Sequence, residues 1–209
     1  MQGMNEKKKF LQSLLFPSFF LILIWLVKII EIVFDLDLIY FGLFPLKWSG
    51  LAGILTAPLI HADLRHLFDN SVPVFILSLA VFYFYRPVAF NVFFFTWIIS
   101  GILVWIGGRP AYHIGASGLI YGFASFLFFS GIIRNSINLL AISLLVVFLY
   151  GSLVWGILPF DYKISWESHL FGSLTGLFLA LAYRHYGPPP PKEISDENDE
   201  IEDEDDDDN

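Results

Sequence analysis

The sequence predicts an all-α polytopic membrane protein, a bundle of six transmembrane helices. Of its 209 residues, 56% are hydrophobic and only 15% charged, where a water-soluble domain carries about a quarter. More than half of the 20 acidic residues crowd between Glu193 and Asp208, so the rest of the chain is lipid-compatible. Six apolar segments follow one another at 13–34, 64–85, 88–107, 116–133, 137–157 and 168–186, near the roughly 20 residues that a crossing requires.

The first segment follows a basic cluster, "MQGMNEKKKFLQSLLF". No small-x-small cleavage site closes its apolar run, so a retained helix is expected after a short cytoplasmic N-terminus, 1–12. Lys28 and Glu31 fall near its far end, where their long side chains can snorkel. Residues 35–63 are too hydrophobic for a solvated loop, and Tyr40, Trp48 and several phenylalanines suit headgroups. They are expected to form a re-entrant or interfacial element on the outer side. The membrane domain thus runs from 13 to 186. Beyond it, 187–209, four consecutive prolines lead into a self-repelling acidic run expected to be a disordered cytoplasmic tail.

Lysine and arginine near the helix ends set the orientation. With the N-terminus inside, Lys7, Lys8, Lys9, Arg86, Arg134, Arg184 and Lys192 are cytoplasmic, against Lys47, Arg65, Arg109 and Lys163 outside. Both termini are therefore expected in the cytoplasm, and the protein in a bacterial inner membrane. The net charge of −8 comes from the tail and indicates no nucleic-acid partner. Without cysteine, disulfides and thiolate metal sites are excluded. No cofactor is expected.

Ionisable residues at membrane depth are functional candidates, and here they fall in three stretches at the outer helix ends. In "HADLRHLFDN", Asp63 is an N-cap, which starts a helix near Leu64 and puts His66 and Asn70 on one face. His61 precedes that helix. The two histidines lack metalloprotease spacing and a third ligand, so no metal is expected. In "HIGASGLIYG", Gly118 and Gly122 have a small-xxx-small spacing, a device for helix packing. Tyr121 lies four residues after Ser117, on the same face. In "ESHLFGSLTG", Gly172 and Gly176 follow His169 and bare one helix face.

Taken alone, each stretch is also what packing would leave. Together they set a serine, a histidine and a His/Asn pair at one depth. Serine is a weak nucleophile until a base takes its proton, and imidazole is that base near neutral pH. The oxyanion of acyl transfer needs donors, which an Asn amide, a His ring and a backbone N–H at a helix start supply. Asp161 and Glu167 stand at loop positions, so the arrangement reads as a Ser–His dyad.

In these motifs the chain resembles the rhomboid family of intramembrane serine proteases, over about residues 40–182. His61, His66 and Asn70 match H-x4-H-x3-N. Gly115, Ala116, Ser117 and Gly118 match G-x-S-G, and His169, Gly172 and Gly176 match H-x-x-G-x-x-x-G. The resemblance implies a six-helix rhomboid-like bundle with Ser117 as nucleophile and His169 as general base. It implies an oxyanion hole of His66, Asn70 and the Ser117 amide, with Tyr121 stacked on His169 and His61 structural. It also implies transmembrane protein substrates, cut where their helices unwind beside a small residue. The family's loop Trp-Arg pair is absent, and Gly53 stands near the arginine position. An inactive relative that binds transmembrane segments is the alternative, although such pseudoproteases typically lose the serine or histidine. A transporter would string its ionisable groups across the membrane rather than cluster them.

Overall fold

Two glycines on the last helix decide how closely the centre of this molecule packs. The computed structural model describes residues 5–149 and 165–188. The expected end of the fifth segment (150–157), Asp161, Lys163 and the tail from 189 onward, including Lys192, lie outside them. Helix α1 spans Glu6–Val33, α2 is a single turn at Gly53–Thr56, and α3 spans Leu64–Phe84. Then come α4 (Ala89–Gly107), α5 (Ser117–Ile133), α6 (Ile137–Leu149) and α7 (Trp166–Ala182). Among the described residues there is no β-strand, only an antiparallel bridge between Leu43 and His113.

Helix α1 begins ahead of its apolar stretch because Asn5 accepts the Lys7 N–H at 3.0 Å and caps the polar turn. Asp63 caps α3 as its sequence foretold, accepting the His66 N–H at 2.7 Å. Residues 35–63 form no long helix. They fold as short helical turns at Leu38–Phe41, Trp48–Gly50, Gly53–Thr56 and Ala57–Leu59. Gly53 has a steric reason: a Cβ there would sit 2.2 Å from the Leu43 backbone, so no side chain fits.

Helices α1, α3 and α4 are long and apolar enough to cross a bilayer, α4 together with its preceding turn from Arg86. Helices α5 and α7 have 17 residues each, and α6 has 13 within the described part. Helix α5 packs against α3, α4, α6 and α7. Its length is therefore matched to protein neighbours rather than to lipid alone. Phe16 and Phe20 of α1 interlock with Phe82 of α3 and Phe93 of α4, the rings 4.8–6.3 Å apart in the contacting pairs. Large leucines, isoleucines and phenylalanines on α1 and α4 face outward, as a lipid-covered bundle requires. The chain is an integral membrane protein.

Helices α5 and α7 approach backbone to backbone. A Cβ on Gly172 would lie 2.3 Å from the Gly118 carbonyl oxygen, and one on Gly176 2.1 Å from that of Gly122. Gly122 itself faces α4, where a Cβ would meet the Thr96 methyl at 2.2 Å. The α5–α7 contact is thus enforced by the α7 glycines, and the second small residue of α5 serves α4. At Gly118 a Cβ would have ordinary contacts, 3.4 Å from the Ser168 carbonyl. Gly172→Ala should therefore cost about 1–3 kcal/mol of stability and lower the thermal midpoint in detergent, while Gly118→Ala should change it little. Equal midpoints for the two variants would refute this assignment.

Candidate active site

Helices α5 and α7 run in parallel, so their N-termini meet at one end of the bundle. Ser117 is the first residue of α5 and His169 the fourth of α7. The glycine contact just below them brings the Ser117 hydroxyl to 2.9 Å from His169 Nε2. With the imidazole proton on Nδ1, the serine hydroxyl donates to Nε2. Tyr121, one turn into α5, lies flat under the imidazole, the rings 4.1 Å apart and inclined by 11°. Stacking and burial hold the histidine ring in one orientation, with its Nε2 edge toward the serine.

Across from this pair stand His66 and Asn70, on one face of α3. A Cβ on Gly115 would come within 2.8 Å of the His66 ring and 3.7 Å of Asn70 Nδ2, so both side chains border the turn leading into Ser117. Gly115 has φ +103°, a conformation open to glycine, and its N–H donates to the Ala57 carbonyl at 2.9 Å. The Ala62 N–H donates to His66 Nδ1 at 3.4 Å. That nitrogen being an acceptor, a neutral His66 carries its proton on Nε2, the atom beside Gly115. Asn70 donates one Nδ2 hydrogen to the His66 carbonyl at 3.0 Å and has a second to offer. The Ser117 N–H, in the first turn of α5, has no acceptor within its own helix. The His66 and Asn70 donors therefore border the turn that leads into Ser117, whose own N–H opens α5.

His61 lies in the connection before α3, 1% exposed, and its Nε2 accepts the Ala116 N–H at 3.4 Å. Burial, aided by the neighbouring His66, pushes its pKa down to about 3, so it stays neutral at working pH. Its ring stands edge-on to His66, 5.1 Å between centroids. Among the described residues no cluster could hold a metal ion.

Two expectations are corrected. Glu167 is not at a loop position: it lies in the first turn of α7, 1% exposed. Its carboxylate accepts the Arg109 N–H at 3.2 Å and approaches the Arg109 guanidinium at 3.7 Å, pinning the α4–α5 connection to α7. A buried charge at the start of a helix is favoured by the helix dipole and by that pairing. Nor does Lys28 snorkel, since it is 6% exposed and paired with Glu31 at 2.7 Å. The sequence reading also passed over His113, which is 2% exposed, bonded to the Ser165 hydroxyl and 3.1 Å from the Arg109 carbonyl oxygen. Burial lowers its pKa. No spacing rule marks a lone histidine four residues before a serine.

Because the His61 pKa is lowered on folding, its share of stability is complete above about 6.5 and is lost as pH falls toward 3. Between pH 6.5 and 5 that loss amounts to about 2 kcal/mol. The thermal midpoint should fall over this range in wild type and less in His61→Gln. A flat wild-type midpoint would contradict the buried, neutral histidine.

Comparison with known proteins bears on this geometry. Residues 48–186 match the Rhomboid domain family. The chain is also 33% identical over 177 residues to uncharacterized proteins of Mycobacterium tuberculosis and Mycobacterium bovis, covering 77% of this chain and 71% of each relative. An uncharacterized protein of Mycobacterium leprae is 32% identical over 171 residues, with 77% and 67% covered. A family match over most of the chain, on a helical bundle that brings the three motifs to one end, places this protein in the rhomboid family.

Proposed function

We propose that this protein is an intramembrane serine endopeptidase that cleaves transmembrane segments of other membrane proteins through a Ser117–His169 dyad. The observation that carries the reading is the 2.9 Å contact between the Ser117 hydroxyl and His169 Nε2 at the mouth of the α5–α7 pair. In the proposed reaction Ser117 Oγ attacks the scissile carbonyl carbon while Nε2 takes its proton. The carbonyl oxygen becomes an oxyanion, held by His66 Nε2–H, Asn70 Nδ2–H and the Ser117 N–H. Collapse expels the amine, which receives the proton from Nε2. Water, deprotonated by the same nitrogen, then releases the acyl group and restores the hydroxyl.

Six crossings, with both termini in the cytoplasm of a bacterial inner membrane, complete the reading. The polar site then opens near the outer face. The arrangement of charges supports it: Lys9 lies over the Tyr83 ring, and Arg86 bonds Gln12, so the N-terminus of α1 and the end of α3 share one basic end. A pseudoprotease retaining both dyad residues in bonding geometry has nothing in the site to favour it.

Ser117→Ala should abolish cleavage of a model single-span substrate by the purified protein without altering its thermal midpoint, and continued cleavage would remove the nucleophile. Asn70→Ala should lower kcat roughly 10²–10³-fold, whereas an unchanged rate would make Asn70 a packing residue. A histidine base works only when neutral, so kcat should fall reversibly with acidification through the range where histidine titrates. A rate unchanged from pH 8 to 5 would speak against His169 as base.

A further inference from the structure

Helix α1 lines no part of the site, yet its last turns carry two charges that a lipid-facing helix would shed. Lys28 is 6% exposed, and the Glu31 side chain 14%. The Lys28 ammonium donates to Glu31 Oε2 at 2.7 Å, to the His61 carbonyl at 2.9 Å and to the Ala62 carbonyl at 3.1 Å. An ammonium has three donors, and here all three are used. Burying such a group is costly unless it is paired and hydrogen-bonded, and leucine would pack α1 on α3 without that cost. Lysine adds a grip on the backbone of two consecutive residues.

Those two residues hold the site. The Ala62 N–H meets His66 Nδ1 and so keeps the His66 proton on Nε2, beside Gly115. The His61 ring accepts the N–H of Ala116, the residue before Ser117. One oxyanion donor and the peptide leading into the nucleophile therefore both hang from the segment that Lys28 clamps. We propose that Lys28, oriented by Glu31, is a positioning residue of the catalytic site. Its ammonium fixes the 61–62 backbone, and through it the His66 tautomer and the approach to Ser117. This assignment rests on the reading of the site as a Ser–His protease. A mere staple between α1 and the bundle would instead affect stability and leave turnover by the folded protein intact.

The test compares the full-length wild type, Lys28→Met and the double variant Lys28→Met/Glu31→Met in detergent. Lys28→Met alone strands a buried carboxylate and can fail to fold. The double variant removes both charges at similar volume, a replacement that buried pairs tolerate. The double variant leaves the His61 carbonyl without its ammonium donor and should lose some thermal midpoint, so turnover and nitrogen shifts are read well below that midpoint, where the protein is folded. Its kcat on a single-span substrate should drop roughly ten-fold or more, the scale on which orienting partners act, with KM within about two-fold. In ¹⁵N-histidine-labelled protein, His66 should show the Nε2-protonated tautomer in wild type and a mixture in the double variant. A wild-type kcat together with unchanged His66 nitrogen shifts would overturn the proposal. The nitrogen shifts need no turnover. If wild type cleaves nothing, the protease reading fails by itself, and unchanged shifts would overturn the positioning role separately.

Discussion

Everything at the end of the bundle where Ser117 meets His169 depends on the absence of two β-carbons. With hydrogen at Gly172 and Gly176, α7 lies directly on the carbonyls of Gly118 and Gly122, positions that a methyl group would occupy at 2.3 and 2.1 Å. A hydroxyl and an imidazole are short groups, and they meet at 2.9 Å only because the helices carrying them are this close. In lipid the approach cannot be driven by apolar burial, since acyl chains are as apolar as the side chains. Small residues that bring backbones into dispersion contact are the available means.

Several of the buried polar groups around the dyad take a backbone partner. Lys28 bonds two carbonyls, Glu167 takes the Arg109 N–H, and His61 takes the Ala116 N–H. Each bond ties a connection to a helix: the α1–α3 connection to α1, the α4–α5 connection to α7, and the start of α5 to the segment before α3. The site is therefore fixed by its connections as much as by its helices. That matters for a reaction whose oxyanion donors must be in place before charge develops.

The sequence showed some of this directly. Asp63 announced the start of α3 to the residue, because an N-cap is a local interaction. The pairing of Ser117 with His169 could be anticipated because glycines at intervals of four bare a helix face whatever lies opposite. What escaped the sequence was long-range. Lys28 looked free to snorkel because its partners, the His61 and Ala62 carbonyls, are more than thirty residues away and backbone carbonyls leave no mark in a sequence. Glu167 looked like a loop acid because Arg109, which buries it, lies 58 residues earlier. Gly122 was legible as a packing residue, but its partner, Thr96, was not.

The central claim is that Ser117 is a hydroxyl activated by His169 rather than a small residue at a helix junction. Only an activated serine reacts with a fluorophosphonate. The direct measurement is labelling of the detergent-solubilised protein by such a probe, wild type beside Ser117→Ala and His169→Ala. The account predicts labelling of wild type and none of either variant. Absence of labelling in folded wild type, or equal labelling of wild type and Ser117→Ala, would contradict it.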